Sequence, residues 1–399
     1  MQPVAVINAG SSSIKFAVFD DSDGFPVLFR GQVEKLGVEP TLNVKGADGQ
    51  LLAKDTWAAD KLDHASATHV ILETALSILD GRRVRGVGHR VVHGGTEFAA
   101  PTLIDAGIID ELRRLCPLAP LHQPHNLAAI EAIADAAPDL PQVACFDTAF
   151  HRSQPEIAQL FALPKELSDA GVRRYGFHGL SYEYISLRLR EIAPEVADGR
   201  VIVAHLGNGS SLCAMRGGRS VATTMAFTAL DGLMMGTRCG ALDPGVLIYL
   251  MDERGMDARA LEELVYKRSG LLGVSGISAD MRTLRQSNDP AASAAIDLFV
   301  YRIAREIGSM AAAAGGVDAL VFTGGIGQND GQVRGDISQA CEWLGLRLDG
   351  DLNNGGATRI NLRGSAVAAF VIATDEEQMI ARHTSALLAT SHEQLQEHR

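Results

Sequence analysis

A short turn rich in glycine and serine occurs twice in the chain, each time between two apolar runs, and this repeat constrains the fold most. The two copies are Val4–Ile7, Asn8–Ser13 and Ile14–Phe19, and then Val201–Leu206, Gly207–Ser211 and Leu212–Met215. Each apolar run has the length and composition of a β-strand, so each copy predicts a β-hairpin. The copies lie roughly half of the 399-residue chain apart. We therefore predict two similar domains, each opening on a hairpin and facing one cleft.

Strand and helix patterns alternate through the rest of the chain. The remaining strand candidates are Val84–Val92, Val143–Phe146, Leu320–Thr323 and Val367–Ile372. The helix candidates are Leu127–Ala137, Tyr182–Ile192, Ala258–Lys267, Ala291–Ala314 and Glu376–Leu388. Antiparallel hairpins combined with strand–helix alternation indicate mixed α/β sheets rather than purely parallel ones.

The charge, the cysteines and the hydropathy pattern narrow the class of protein. The formal net charge is −12 and no run of basic residues occurs, so we expect no nucleic acid and no membrane as the main partner. The five cysteines are scattered without a Cys-x-x-Cys pair, which argues against a disulfide framework or a structural zinc site. No apolar stretch is long enough to span a bilayer, and a strand pattern follows Met1–Pro3 at once, leaving no room for a signal peptide. These features predict a cytoplasmic protein.

The two hairpin turns and a third glycine-rich segment are candidate phosphate sites. Small side chains let consecutive backbone N–H groups and hydroxyls converge on an anion, and Lys15 lies just past the first turn. Neither turn is a Walker loop, since both lead into a strand and lack Gly-Lys-Ser/Thr. The alternative is that the glycines serve only tight turns, although two such turns favour a phosphate clamp. Gly324–Gln328, between a strand and a predicted helix, would let a nucleotide lie against the backbone, or would serve helix–strand packing.

Two arginines lie among glycines and apolar residues without an obvious acidic neighbour. Arg90 falls within the strand pattern Val84–Val92, and Arg238 falls within Gly236–Gly240. A buried arginine without a partner is costly, and two of them suit a phosphoryl or carboxylate ligand that they can bind bidentately. A structural ion pair with a distant Asp or Glu is the alternative for each.

Several other polar residues are candidates by position. Asp147 ends the strand Val143–Phe146, where α/β sheets present functional residues. His178 and His122 lie in glycine- and proline-containing segments, and a lone histidine of this kind is more often structural than catalytic. Thr374–Glu377 follows a strand, and its first and last residues have the spacing of a helix capping box. Its glutamates either complement the helix dipole or help to hold Mg²⁺.

Together these motifs resemble the acetate kinase family, and the resemblance covers essentially the whole chain. The matching segments are Val6–Ser13, Gly88–Gly95, Phe146–His151, Tyr175–Gly179, His205–Ser211, Gly236–Arg238, Asp243–Pro244, Asp280–Arg282, Thr323–Gly327 and Thr374–Glu377. The resemblance implies two ribonuclease-H-like domains of the actin-like ATPase type, with mixed sheets flanked by helices, around a nucleotide cleft. The implied domains are residues 1–150, joined by a C-terminal helix 376–399, and the nucleotide-binding residues 151–375. It also implies a homodimer that uses ATP and Mg²⁺, or Mn²⁺, to convert acetate reversibly into acetyl phosphate.

The resemblance also assigns roles to single residues. It implies that Asn8 and Glu376 form the Mg²⁺ environment, and that Arg90 binds the carboxylate substrate. The other implied catalytic residues are Asp147, His178, Arg238 and His122. The implied nucleotide contacts are Lys15, His205, Leu206, Gly207, Asn208, Gly209, Asp280, Met281, Arg282, Gly324, Gly325, Ile326, Gly327 and Gln328. Because a carboxylate is already ionised at neutral pH, we expect Asp147 to orient the acceptor or the metal rather than to act as a base.

The pocket for the acyl group leaves the substrate open to alternatives. The resemblance implies that Val92, Leu121 and Phe177 line it, whereas Ala229 stands where the family has a proline. A smaller wall admits an extra methylene, which pockets discriminate by only about 1–3 kcal/mol. A propionate or butyrate kinase is therefore the nearest alternative. An actin- or chaperone-like ATP switch and a phosphohydrolase are the alternatives from other classes.

Overall fold

The computed structural model describes residues 2–59 and 61–397. The strands are β1 (Val4–Ala9), β2 (Ile14–Phe19), β3 (Val27–Glu34), β4 (Thr41–Gly46), β5 (Leu51–Thr56), β6 (Gly86–Val91), β7 (Thr102–Leu103), β8 (Gln142–Phe146), β9 (Arg200–Leu206), β10 (Ser210–Arg216), β11 (Arg219–Thr223), β12 (Ala319–Thr323) and β13 (Ala368–Val371). The helices are α1 (His64–Leu79), α2 (Ala106–Arg114), α3 (Gln123–Ala136), α4 (Glu156–Gln159), α5 (Lys165–Asp169), α6 (Gly179–Ile192), α7 (Pro194–Ala197), α8 (Pro244–Arg254), α9 (Ala258–Lys267), α10 (Gly270–Ser275), α11 (Met281–Gln286), α12 (Pro290–Ala314), α13 (Gly324–Asn329), α14 (Gly331–Ala340), α15 (Gly350–Asn354) and α16 (Glu376–Glu397).

The chain divides into two compact units, each built on one mixed sheet. The first unit comprises Met1–Phe150 and Asp375–Arg399, and the second comprises His151–Thr374. The sheet of the first unit has the strand order β5-β4-β3-β2-β1-β6-β8-β7, and that of the second has the order β11-β10-β9-β12-β13. Both sheets combine antiparallel hairpins with parallel neighbours, and helices flank them. The predicted fold class, mixed α/β sheets flanked by helices, is confirmed.

Helices cover both faces of the sheet in the first unit. Val87 on β6 packs in a core cluster with Ile7 of β1 and with α1 and α3. Gly88, the next residue, faces the other way, because successive strand residues point to opposite faces. A Cβ on Gly88 would lie 2.2 Å from the Thr384 hydroxyl and 2.5 Å from Ile380, both on α16. The glycine therefore lets α16 approach the central strands closely.

One long helix organises the second unit. The α12 helix spans 25 residues, begins after Asp289, whose side chain accepts from the backbone N–H of Ala291, and ends at Gly315 in the left-handed conformation. It packs against β9, β10 and β11. Phe299, Ile303 and other buried residues along this helix join the main core cluster of the unit.

Every strand and helix predicted from the sequence pattern is present, with bounds that shift by at most four residues, except that α16 continues nine residues beyond Leu388. The β3–β5 meander and several helices, including α1 and α8, were not predicted. The capping box proposed for Thr374 and Glu377 is wrong. The helix α16 begins at Glu376, and Asp375 caps it by accepting from the backbone N–H of Gln378 at 2.9 Å. None of the helices in the described part of the chain combines the length and the apolar character that crossing a membrane requires.

Candidate active site

The ends of three neighbouring strands in the first unit bring together three of the predicted site residues. The parallel pairing of β1, β6 and β8 aligns Ile7 with His89 and Val91 with Phe146. Asn8, Arg90 and Asp147 therefore emerge at the same edge of the sheet. The backbone N–H of Asp147 donates to the Val91 carbonyl at 3.0 Å, which extends the pairing to the residue after β8.

Arg90 is held in a fixed orientation by this arrangement. Its Nε donates to Oδ1 of Asp147 at 3.0 Å, its Nη2 donates to Oδ2, and its Nη1 donates to Oδ1 of Asn8 at 3.3 Å. Burial alone would lower the pKa of Arg90, but the carboxylates of Asp147 and Glu376 raise it above its usual value. A guanidinium carries five N–H donors, and these three bonds leave one on each terminal nitrogen that is not donated to any described residue.

The ion pair with a distant acid, which the sequence left open as the alternative for Arg90, is present. Asp147 is 57 positions away along the chain but lies on the adjacent strand. Its side chain is only 1% exposed, whereas that of Arg90 is 21% exposed. The pair therefore buries the acid and leaves part of the guanidinium accessible, so that the structural ion pair and the binding role are compatible.

The two glutamates at the start of α16 face different arginines. Oε2 of Glu376 lies 3.9 Å from Nε of Arg90, whereas Oε2 of Glu377 lies 3.8 Å from Nη1 of Arg30 on β3. Burial raises the pKa of Glu377, although the Arg30 charge opposes this. Of the two acids, Glu376 is thus the one placed beside Arg90 and Asp147.

Oxygen atoms around Arg90 fit the Mg²⁺ ion that the sequence predicted. Asn8 offers an amide oxygen, and Glu376 and Asp147 offer carboxylates, all gathered on one guanidinium. Mg²⁺ typically takes one or two carboxylates and completes its shell with water and substrate phosphates. No group of three His, Cys, Asp or Glu side chains suited to a metal occurs in the described part of the chain. The ion itself stays a prediction.

Lys15 and the start of α3 complete the predicted residues of the first unit. Lys15 is exposed and lies directly opposite Asn8 in the β1–β2 pairing. Leu121 and His122 are half-buried just before α3. The Asn126 side chain on this helix accepts from the backbone N–H of Val92 at 3.1 Å and donates to the Ala9 carbonyl at 2.7 Å. The start of α3 is thereby fixed to the strand ends that carry Asn8 and Arg90.

In the second unit, His178 precedes α6 in a conformation that few residues other than glycine adopt, with φ of 58°. Its Nδ1 is 2.8 Å from the Ser211 hydroxyl, and its ring stacks on that of His205 with centroids 4.2 Å apart. With Nδ1 engaged, Nε2 faces Gly209, where an added Cβ would lie 3.4 Å away. The strained backbone and the stacked ring hold this nitrogen in one place.

His151 supports the segment before His178. Its Nε2 donates to the carbonyl of Phe177 at 2.9 Å, and its Nδ1 is 2.9 Å from the Ser220 hydroxyl. Burial lowers the pKa of His151 to about 4, so the ring is neutral at pH 7 and can donate and accept at once. This role of His151 could not be predicted from the sequence, because a single histidine gives no signal for such a contact.

Arg238 lies over the same glycine as His178. A Cβ on Gly209 would be 2.7 Å from Nη2 of Arg238, while Nη1 donates to the carbonyl of Ala229. The segment that bears Arg238 also contacts this turn directly, since the backbone N–H of Gly236 donates to the Asn208 carbonyl at 3.2 Å. The predicted pair of His178 and Arg238 therefore converges on the β9–β10 turn.

The serines of that turn do not offer free hydroxyls to a phosphate, contrary to the sequence expectation. Ser210 and Ser211 are fully buried. The Ser210 hydroxyl bonds Gly207 within the turn, and the Ser211 hydroxyl bonds His178 and Tyr182. Short hydroxyl side chains close a turn more readily than they reach outward, so the backbone of the turn is what remains for a ligand.

A cavity of about 820 Å³ in the second unit collects most of the predicted nucleotide segments. Of the predicted contacts, those that line it are Gly207, Asn208, Asp280, Met281, Arg282, Gly325 and Ile326. The lining residues that the sequence analysis missed are Ala279, Arg285, Gln286, Asn329, Asp330, Gly331 and Gln332. The missed residues flank the predicted motifs, so a wider window around each motif would have included them.

The other predicted nucleotide contacts in this unit lie outside the lining of the cavity. They are His205, Leu206, Gly209, Gly324, Gly327 and Gln328. Leu206 is fully buried, so a contact from it would involve its backbone. Gly324 has φ of 76°, and a Cβ there would lie 2.6 Å from the Leu206 carbonyl oxygen. Gly324 thus lets α13 start directly against β9.

Comparison with known proteins gives a consistent result. The model of the acetokinase family matches residues 3–382. A protein named acetate kinase from Rhodopseudomonas palustris is 55% identical over 384 residues, which cover 95% of this chain and 96% of that one. A protein of the same name from Methylocella silvestris is 50% identical over 394 residues, covering 96% and 98%.

Two solved structures resemble the fold over nearly its full length. A Porphyromonas gingivalis acetate kinase has a TM-score of 0.88 at 39% identity and covers 97% of this chain and 100% of its own. A Francisella tularensis propionate kinase has a TM-score of 0.90 at 36% identity, covering 96% and 99%.

Proposed function

The chain belongs to the acetokinase family, and we infer from this that it phosphorylates acetate with ATP, releasing acetyl phosphate and ADP. The observation that carries the assignment to named residues is the orientation of Arg90. Its bonds to Asp147 and Asn8 fix the guanidinium and leave one N–H on each terminal nitrogen for a ligand. A carboxylate accepts two parallel N–H bonds from such a fork, so we assign acetate to Arg90.

Catalysis by these residues consists of positioning and charge stabilisation. Acetate is ionised at neutral pH and needs no base, so Asp147 acts by orienting Arg90. We assign ATP to the cavity of the second unit, lined by Asp280, Arg282 and Gly325. His178 and Arg238, which converge on Gly209, donate to the oxygens of the phosphoryl group as it transfers. Mg²⁺ held beside Asn8 and Glu376 would neutralise charge on the nucleotide phosphates.

Purified protein with Mg-ATP is expected to form an acyl phosphate, which hydroxylamine traps as a hydroxamate, when it is given acetate. Propionate and butyrate are offered in parallel. Their rates show how large an acyl group is accepted by the pocket, in which Ala229 replaces a proline. We expect acetate to give the highest kcat/KM, with propionate within about 200-fold, because one methylene is worth only about 1–3 kcal/mol. Absence of hydroxamate with all three acids would contradict the proposed function, and a preference for propionate would correct its substrate.

We also propose that two copies associate through α8. This helix reads Pro-Gly-Val-Leu-Ile-Tyr-Leu-Met before its charged end, yet none of its eleven residues is buried. Ile248, Tyr249 and Met251 are each more than half exposed. A contiguous apolar surface of this kind marks an interaction site, and a second copy offers the same surface in return.

Ile248→Asp is expected to convert the dimer into a monomer, as measured by sedimentation velocity. Placing a carboxylate in an apolar interface leaves it desolvated and without a partner, which is costly. Ile157→Asp is the matched control, because Ile157 in α4 is even more exposed at 81% and lies outside α8. A dimer that survives Ile248→Asp as well as it survives Ile157→Asp would contradict this interface.

A cytoplasmic location is part of the same proposal. The cysteines form no disulfide within the described part of the chain. Free thiols persist in a reducing compartment, where disulfides are rare.

A further inference from the structure

A second cavity, of about 410 Å³, lies in the second unit and shares no lining residue with the nucleotide cavity. Its walls are largely apolar and include Met234, Leu264, Val274 and Leu298. Two arginines also line it, Arg268 directly after α9 and Arg302 on α12. The function assigned above gives this cavity no role.

Neither arginine has an acidic partner among the described residues. The guanidinium of Arg268 forms no hydrogen bond or ion pair within the described chain, and that of Arg302 reaches only the Ala241 carbonyl, at 3.5 Å. By contrast, the nearby Arg259 and Lys267 on α9 are each paired with a glutamate of the same helix. Two unpaired guanidiniums beside apolar walls are suited to a ligand that brings both negative charge and hydrocarbon.

The other polar side chains in the lining, Ser269 and Cys239, add no negative charge. Cys239 is half-buried, and its thiol donates to the Gly240 carbonyl at 3.2 Å. Burial raises the pKa of this thiol, so it stays protonated at neutral pH. The cavity is therefore positively charged as a whole.

We propose that this cavity binds a small organic anion, with carboxylate or phosphate groups held by Arg268 and Arg302 and a hydrocarbon part against Leu264 and Leu298. Arginine binds both kinds of anion through parallel N–H donors. The apolar walls favour an organic anion over an inorganic one, because burying its hydrocarbon part removes apolar surface from water.

The cavity wall is also hydrogen-bonded to the loop that carries Arg238. The backbone N–H of Ser269 donates to Thr237 at 3.0 Å, that of Leu271 donates to Met235 at 2.8 Å, and that of Leu272 donates to Gly236 at 3.0 Å. These bonds run from the segment that follows Arg268 to the three consecutive residues that precede Arg238.

The backbones of these two segments are in close contact. Gly270 has φ of 65°, and a Cβ there would lie 2.3 Å from the Met235 carbonyl oxygen. Cys239 adds a further bond, from its backbone N–H to the Val265 carbonyl at 3.1 Å. An anion that holds Arg268 therefore restrains the loop next to the phosphoryl-transfer residue, and the site regulates kcat.

Alkylation of Cys239 tests occupancy without relying on activity. Peptide mass spectrometry measures the alkylation rate of Cys239 in the native enzyme with succinate, adipate or inorganic phosphate. Cys116, half-buried in the first unit, is the internal control. At ten times its Kd an anion is expected to slow the alkylation of Cys239 about 10-fold, in proportion to the unoccupied fraction, and to leave Cys116 unchanged.

The Arg268→Gln/Arg302→Gln variant is expected to lose this protection while keeping kcat without added anion. At saturating ATP and acetate, the protecting anion is expected to change kcat of the native enzyme and not that of the variant. Equal protection in both proteins, or a Cys239 that reacts only after unfolding because it is covered, would overturn the site. Protection by phosphate but by neither dicarboxylate would overturn the assignment to an organic anion. Since alkylation needs no turnover, failure of the proposed kinase activity would be seen separately.

Discussion

Replacing Arg238 with alanine is expected to lower kcat for acetate phosphorylation by about 10³-fold and to change KM for ATP little. The reason lies in what the guanidinium contacts, namely the Ala229 carbonyl and the β9–β10 turn at Gly209, beside Nε2 of His178. A donor aimed at charge that develops only in the transition state raises kcat without tightening substrate binding. Steady-state kinetics with ATP and acetate varied separately measure both constants.

Arg282→Ala is the matched control for Arg238→Ala. Arg282 also lies in the second unit, but it lines the nucleotide cavity, where it is largely exposed and paired with Asp280. A cation that meets the bound nucleotide in the ground state should affect KM for ATP more than kcat. If Arg238→Ala instead raises KM for ATP and leaves kcat unchanged, Arg238 binds the nucleotide and its transition-state role is wrong.

The sequence predicted the parts of the fold that depend on neighbouring residues. The hairpins β1–β2 and β9–β10 follow from apolar runs of strand length around small-residue turns, and the sequence places each to within a few residues. The meander β3–β5 was missed. Its last strand, Leu51–Thr56, has no buried residue, so the alternation that marks a half-buried strand is absent.

Contacts that join distant parts of the chain could not be predicted. Nothing near Arg90 in the sequence points to Asp147, because the pairing of β6 with β8 is what brings them together. The same holds for His151, whose bond to Phe177 spans 26 positions. The prediction of the residue that caps α16 failed for a local reason. Thr374 and Asp375 are both acceptable caps, and the sequence pattern does not choose between them.

The roles of the site residues were inferred from the family resemblance, and the structure adds the contacts that some of these residues make. Around Arg90 the structure separates two tasks that the sequence left as alternatives, since one edge of the guanidinium pairs with Asp147 and terminal N–H groups remain for a ligand. The roles of His122 and Lys15 rest on the resemblance alone. The structure places Lys15 opposite Asn8 and His122 directly before α3.

Arg90→Lys is expected to raise KM for acetate by about 10–100-fold while KM for ATP changes little. Lysine keeps the charge but lacks the planar fork, so it cannot pair with Asp147 and hold a carboxylate bidentately at once. A hydrogen bond to a charged group is worth about 1.5–3 kcal/mol, which sets the size of the effect. Lysine is chosen over alanine because Asp147 is almost fully buried, and removing its partner would cost about 3–5 kcal/mol of stability. Thermal unfolding of each variant separates that loss from an effect on binding.

Asp147→Asn decides whether the acid acts through Arg90 or as a base. If Asp147 only orients the guanidinium, its replacement should raise KM for acetate as Arg90→Lys does, and the double variant should be little worse than either single one, because both changes remove the same interaction. If Asp147 were a general base, Asp147→Asn would lower kcat with KM for acetate unchanged and would remove a limb of the pH–rate profile. We expect the first outcome, because acetate is already ionised and both carboxylate oxygens of Asp147 accept hydrogen bonds from Arg90.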